Sequence, residues 1–555
     1  MGSGLLRGTR RVCAAALLAS AAVIAAWLLV QAPSQAASVP LSISIQGNHF
    51  VNGAGQTIRL LGVNHPSSEY ACVDGFGYND GHQDAADAAA VASWNATAVR
   101  VPLNEDCWLG INGQPNDNEG PPQPLTAAGY QQAVESYVQA LNAHGLYAIL
   151  DLHWTAPGAQ VAMEQQPMPD AHSTDFWQSV ASTFKSNPAV VFDVFNEPFD
   201  PTDPKSGDDG NASDAVTWGC WASGTNPDAV GGGAPPVPCD TQAYDANGNP
   251  TTRYQVVGMQ TLVNTIRNAG ATQPVMVGGL DYANDLSQWA DNAPNDPLNQ
   301  EAASFHNYMG KACDNVACWN SQIAPLTANV PVVTGEFDED NYTEPKCDTK
   351  TPSTFDRDYM TWADQHGVGY LAWGWWVLSQ DEKDAAGCSA FYLLNSYDGT
   401  PAPPNGTTLH DHLLSLPAGG LLTGPPPTGP TGPTKTTKPP VKLKTFSASV
   451  KPGGASVVFT VRSAQNCSGR LTGQTVSKYA VGNGKRHTVS LGSARFSLKA
   501  GKAKKIALKL SAASHKLLTA HHRLKVQIAL TLTGATTRRT VVHKTITLRL
   551  PRTHH

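Results

Sequence analysis

The sequence predicts an α/β chain: a (β/α)8 TIM barrel, then a Pro-rich linker, then a small all-β immunoglobulin-like unit. Three observations predict it. Short continuous apolar runs alternate with helical patterns through residues 38–416, as in a parallel sheet buried on both faces. Composition then collapses to Pro, Gly, Thr and Lys over 417–440, an extended linker. From 441 to 555 the apolar period becomes two, the period of a strand.

Charge draws the same boundaries. The 555 residues carry 38 Lys+Arg and 44 Asp+Glu, a net of −6. All 44 acids lie in 38–416 beside only 11 bases, a net of −33, whereas 441–555 holds 22 bases and no acid. Hydrophobic residues at 41% and charged residues at 15% exclude a chain disordered throughout.

Residues 1–37 read as a secretory signal peptide. Arg7, Arg10 and Arg11 precede an apolar run over 12–30, and Ser34-Gln35-Ala36-Ala37 supplies small residues for cleavage. An uncleaved membrane anchor is the alternative, because such a run approaches a full span. Cysteine usage agrees with export. Cys72, Cys107, Cys220, Cys239, Cys313, Cys318, Cys347 and Cys388 are an even set within the acidic unit, and read as disulfides. Nearest-neighbour pairing (72–107, 220–239, 313–318, 347–388) is the expectation. No CxxC pair suggests zinc, and Asp208-Asp209-Gly210-Asn211 lacks calcium-loop spacing, so neither metal nor cofactor is expected.

Taken in order, 59–63 reads as a strand ending at Asn64-His65, and 98–103 as the second. Tyr130, Val134, Tyr137, Val138 and Leu141 recur at helical spacing until Gly145, and 146–152 is the third strand. A helix carrying Phe176, Trp177, Val180 and Phe184 ends at Asn187-Pro188, before a strand over 190–195. A helix through Leu262, Val263 and Ile266 precedes 275–278, and strands at 303–305 and 330–334 follow. The last helix, through Phe355, Tyr359 and Trp362, leads to 369–373. Eight strands in about 375 residues fit a barrel with long loops. A doubly wound sheet would need a Gly-rich phosphate turn, and there is none. In the tail, Ile506, Leu508 and Leu510, then Leu524 to Leu532, alternate without a comparable helical stretch, which suggests a β-sandwich.

Polar residues that end barrel strands face the active side. Here they are Asn64-His65, Arg100, His153-Trp154, Asn196-Glu197, His306 with Tyr308, Glu336 and Trp373. Strands four and seven face each other across the mouth. Glu197 and Glu336 can therefore pair as the acid and the carboxylate that glycoside hydrolysis needs.

Seven segments in order resemble glycoside hydrolase family 5, the cellulase-type family. They are Leu60-Leu61-Gly62-Val63-Asn64, Val99-Arg100-Val101-Pro102, Asp151-Leu152-His153, Phe195-Asn196-Glu197-Pro198, Phe305-His306-Asn307-Tyr308, Thr334-Gly335-Glu336-Phe337 and Ala372-Trp373-Gly374-Trp375. The likeness spans roughly 40–416. It implies Glu197 as general acid/base, Glu336 as nucleophile, and a retaining double displacement with carboxyls about 5 Å apart.

Physical chemistry assigns the neighbours. Asn196 suits the sugar 2-OH, while Arg100 and Tyr308 would hold Glu336 ionised. His153 and His306 would line the subsite at the bond being cut. Trp373 would offer that ring a flat apolar face, with Trp375 or Trp376 competing through register.

The expectation is a secreted retaining β-glycosidase, an endo-β-1,4-glucanase ahead of a mannanase or an exo-acting enzyme. The rival of another class is a wall-associated carbohydrate-binding protein, which has no need of both glutamates. Residues 200–255, rich in Gly, Pro, Asp and Asn, should wall the cleft. The tail holds no Trp and few aromatics (Tyr479, Phe446, Phe459, Phe496), too few for platforms that grip crystalline cellulose. Its 22 bases suggest a tether to anionic cell wall. The expected partners are thus a polysaccharide or oligosaccharide substrate and the wall, with no nucleic acid, for a monomer.

Overall fold

Eight strands pair in parallel and close on themselves: β1 (Leu61–Asn64), β2 (Ala98–Asn104), β3 (Tyr147–Trp154), β4 (Val190–Asp193), β5 (Val275–Gly278), β6 (Glu301–Tyr308), β7 (Val332–Asp338) and β8 (Gly369–Ala372). Sequential neighbours pair throughout, and β8 returns to β1 through Tyr370↔Leu61. The computed structural model describes residues 40–550, apart from 117–123, 203–214, 227–236, 340–353, 388–389, 423–442, 452–454, 464–465, 478, 480–487, 501 and 535–536. The signal segment, Cys347, Cys388, residues 208–211 and most of the linker therefore lie outside the described residues.

The crossovers are helical for the reasons the sequence offers. In α1 (Ala127–Ala143), the Thr126 side chain caps the first turn by accepting from the Gly129 N–H. Tyr130, Val134, Tyr137, Val138 and Leu141 form its buried face. Gly145, at φ +80°, then takes the left-handed turn that lets the chain leave for β3. The helices α2 (His172–Phe184), α3 (Met259–Asn268) and α4 (Thr354–His366) repeat the pattern.

Two apolar layers hold the barrel. The larger lies between sheet and helices. The smaller fills the barrel's N-terminal end, where Ile149, Val191, Met276, Val333 and Leu371 meet Ile43, Ile45, Phe50 and Ile58. Those last residues belong to an antiparallel plug (Ile43–Gln46, His49–Asn52, Thr57–Ile58) that the sequence analysis passed over. Residues 417–422, assigned above to the linker, pack here too: Gly420 O accepts from the Arg59 N–H and Leu421 bridges Ile58. Three expected disulfides are formed, Cys72–Cys107, Cys220–Cys239 and Cys313–Cys318. Cys467 is buried and unpaired.

The C-terminal unit has two antiparallel sheets among the described residues. One is β9 (Leu443–Val450), β10 (Ser456–Ser463) and β13 (Ala503–Lys509). The other orders β12 (Ser490–Leu498), β11 (Cys467–Thr475), β14 (Arg523–Gly534) and β15 (Thr537–Arg549). Phe459, Val461, Leu471, Ile506, Leu508, Val526 and Ile528 share its core. One helix, Ala512–His521, accompanies the two sheets of the expected all-β unit. It buries only Ser514 and Leu518, so no apolar stripe marked it.

Candidate active site

The site grows from the C-terminal ends of the strands, and two β-bulges shape it. Between β6 and β7, Phe305 pairs with Thr334 but His306 pairs with Glu336, leaving Gly335 as the extra residue. Between β2 and β3, Leu103 pairs with Leu152 and Asn104 with Trp154, leaving His153 extra. A bulge re-aims the side chains beside it. A Cβ on Gly335 would lie 2.8 Å from His306 Nε2 and 3.0 Å from Ser304 Oγ, so only glycine leaves His306 where it stands.

Arg100, fully buried on β2, organises the floor. Its guanidinium donates to Glu336 Oε1 at 2.7 Å, Asp193 Oδ2 at 2.9 Å, Asn196 Oδ1 at 2.8 Å and Asn64 Oδ1 at 3.1 Å. It also meets Asp151 Oδ1 at 3.0 Å. Burial opposes its charge, but Asp151, Asp193 and Glu336 outweigh burial and raise its pKa. Burial pushes Asp151 and Asp193 upward against the pull of Arg100.

The two glutamates sit in different surroundings. Glu336, 5% exposed, takes the Arg100 bond on Oε1 and the Tyr308 hydroxyl on Oε2 at 2.7 Å. Glu197, 18% exposed, lies just beyond β4, with Oε1 2.8 Å from His306 Nδ1. Burial raises its pKa, opposed by Lys311, His153 and Arg100. One carboxylate oxygen from each glutamate and a His306 ring nitrogen lie within 4.8 Å of one another.

Burial pushes His306 down to about 3 and His153 down to about 4. Both are therefore neutral at pH 5 to 8. His153 Nδ1 is 2.6 Å from Asp151 Oδ2, and its ring stacks on Trp373 with centroids 5.5 Å apart. Trp375 is fully buried and donates to Asp87, while Trp376 lies edge-on to Trp373 at 6.0 Å. Trp373 is the one of the three whose ring stands parallel to His153. Asn196 Nδ2 donates to Gln165 Oε1 at 2.8 Å and lies 3.4 Å from His153 Nε2. That second N–H remains able to turn toward a sugar hydroxyl.

The structure thus gathers all eight sequence-chosen residues at one barrel mouth. It adds residues to which the sequence analysis gave no role. Asp151 and Asp193 were visible as acids inside otherwise apolar strands, an arrangement that demands a buried partner. Gln165 and Lys311 come from loops and left no signal. The insertion after Glu197 folds as a helix (Trp218–Ser223) and a hairpin (Asp240–Tyr244 with Pro250–Gln255), stapled by Cys220–Cys239. Phe199 stacks on Tyr282 beside it, centroids 4.6 Å apart, and Lys311 Nζ lies 4.4 Å over the Tyr282 ring.

Residues 51–379 match the family model described as cellulase (glycosyl hydrolase family 5). A mannan endo-1,4-beta-mannosidase of Cellvibrio japonicus is 24% identical over 348 residues, 61% of this chain and 60% of the relative. The match therefore spans less than two thirds of that relative's length. A β-glucanase from Saccharophagus degradans is 20% identical, covering 70% of this chain and 98% of that one, with a TM-score of 0.47. The catalytic domain of a Thermobifida fusca endoglucanase is 15% identical, covering 67% and 97%, with a TM-score of 0.41.

Proposed function

Because the chain belongs to glycosyl hydrolase family 5, the cellulase family, we propose that it is a secreted retaining β-glycosidase, an endo-β-1,4-glucanase. One juxtaposition carries the reading: two carboxylates within 4.8 Å, one held by Arg100 and Tyr308, the other raised by burial. That separation suits attack by a carboxylate rather than by an intervening water, which needs about 6.5–9.5 Å.

In the first step a Glu336 oxygen attacks the anomeric carbon while Glu197 gives its proton to the departing glycosidic oxygen. A glycosyl ester on Glu336 results. In the second, Glu197 takes a proton from water, whose oxygen attacks the same carbon and frees Glu336. Neutral His153 and His306 line the subsite without adding charge, and Trp373 supports the sugar ring. Asn196 steadies the 2-OH, a contact that strengthens toward the oxocarbenium-like state.

The mannan-cleaving relative favours a second reading, β-mannan as substrate. Product analysis on cellulose, mixed-linkage β-glucan, mannan and aryl glycosides separates the two. Cello-oligosaccharides of several lengths, with mannan untouched, is the expected result. Manno-oligosaccharides would replace the first reading by the second. The secretory reading rests on residues 1–37 and three disulfides, and the basic residues of 441–555 support a tether to anionic wall polymer.

A further inference from the structure

Outside the cleft, the foot of the loop joining β3 to α2 holds a second set of metal-ligating side chains. Glu105 opens the short helix after β2, and Asp170 and His172 end the loop. His172 Nδ1 stands 3.9 Å from Glu105 Oε1 and 3.8 Å from Asp170 Oδ1. One donor atom from each of the three lies within 4.8 Å of the other two. The same nitrogen donates to the Ala156 carbonyl oxygen at 3.3 Å, a bond that an ion on Nδ1 replaces.

Two buried oxygens here lack partners. Glu105 is fully buried and Asp170 is 2% exposed, yet Glu105 Oε1 and Asp170 Oδ2 accept no hydrogen bond. Their other oxygens are engaged, Glu105 Oε2 by the Ser173 hydroxyl and Asp170 Oδ1 by the His172 N–H. Among the described residues no Lys or Arg pairs with Glu105, Asp106 or Asp170. Buried carboxylate oxygens without partners are costly, and a cation removes that cost.

We propose that Glu105, Asp170 and His172 bind one divalent first-row ion of the manganese or zinc class. Zinc reaches nitrogen and oxygen ligands at roughly 2.0–2.2 Å, so donors 3.8 and 3.9 Å from His172 Nδ1 can share one ion with it. An imidazole in the set favours these metals over calcium or magnesium, which take oxygen ligands. His172 binds through Nδ1 with its proton on Nε2, and its 27% exposure gives the ion a way in.

The ion is a positioning element. It fastens the end of the loop, at Asp170 and His172, to Glu105 on the helix after β2. The same loop carries Gln165, which accepts from Asn196 and donates to the Glu197 carbonyl at 2.8 Å.

The test is metal titration of the full chain after chelation. Calorimetry and thermal melts with Mn2+ and Zn2+ compare wild type, Glu105→Gln, His172→Ala and Glu336→Gln. Wild type should bind one equivalent and gain about 5 °C in Tm at a hundredfold excess over Kd. Glu336→Gln, which alters the cleft, should bind as wild type does. Glu105→Gln and His172→Ala should each weaken binding at least tenfold. Glu105→Gln preserves the shape of a protonated glutamate; if it fails to fold, the partly exposed His172→Ala decides. No binding by wild type, or binding undiminished in His172→Ala, would overturn the site. Loss confined to Glu336→Gln would move the metal to the cleft and overturn it equally.

Discussion

Glu336 and Glu197 differ in partners, and the roles proposed for them follow from that difference. Glu336 meets a guanidinium and a phenol; Glu197 meets an imidazole that burial keeps neutral. Glu336→Ala should abolish turnover with the fold intact, checked by kcat beside a circular dichroism melt. Glu197→Ala should lose about 10²–10⁴-fold on polysaccharide. It should keep more activity on a dinitrophenyl glycoside, whose leaving group needs no proton. Equal losses on both substrates would remove the acid role from Glu197.

Arg100 answers to stability as well as chemistry. Arg100→Gln strands Asp151, Asp193 and Glu336 in the interior, and should cost about 3–5 kcal/mol in denaturant unfolding. A loss below 1 kcal/mol would contradict this account of the floor.

His306 sets a pH dependence with a definite sign. Its folded pKa, about 3, lies below the unfolded value of 6.5. The unfolded chain therefore binds the proton first, and stability falls as pH drops from 6.5 toward 3. Replacing His306 by Asn should remove about 2 kcal/mol of the loss between pH 7 and pH 5. Parallel pH profiles for the two proteins would refute this.

Among the elements, the long crossovers were legible because helix and strand periods differ and because caps and stops are local. The Tyr130-to-Leu141 stripe and Gly145 are examples. The short plug before β1 was not, since four-residue strands carry too little pattern. The bulges at Gly335 and His153 were invisible too. They arise from neighbouring strands, yet they aim Glu336 and His153. Gly335→Ala should therefore lower kcat at least tenfold while shifting Tm little, because its Cβ would displace His306. Cys72–Cys107 ties the loop after β1 to the helix after β2 across 35 residues. Replacing both by Ala should cost up to about 4 kcal/mol, read by denaturant unfolding.

For the whole molecule, the motif order placed Glu197 beside Glu336 because barrel topology turns distance along the chain into proximity at the mouth. Loop residues such as Gln165 and Lys311 stayed hidden, because loop paths depend on contacts that no periodicity encodes. The division of charge is a whole-molecule property read directly from sequence, −33 over 38–416 and +22 over 441–555. A chain ending after residue 422 should keep its hydrolytic rate on soluble glycan. It should also lose salt-sensitive binding to anionic wall polymer in a pull-down. Binding by the full chain that ignores salt would rule out an electrostatic tether.

A retaining double displacement requires a covalent glycosyl intermediate on Glu336. Mass spectrometry of the full chain after incubation with an activated 2-deoxy-2-fluoro-β-cellobioside tests it most directly. One added disaccharide is expected, carried by the peptide that contains Glu336. A label on any other residue, or turnover of the reagent with inversion and no label, would contradict it.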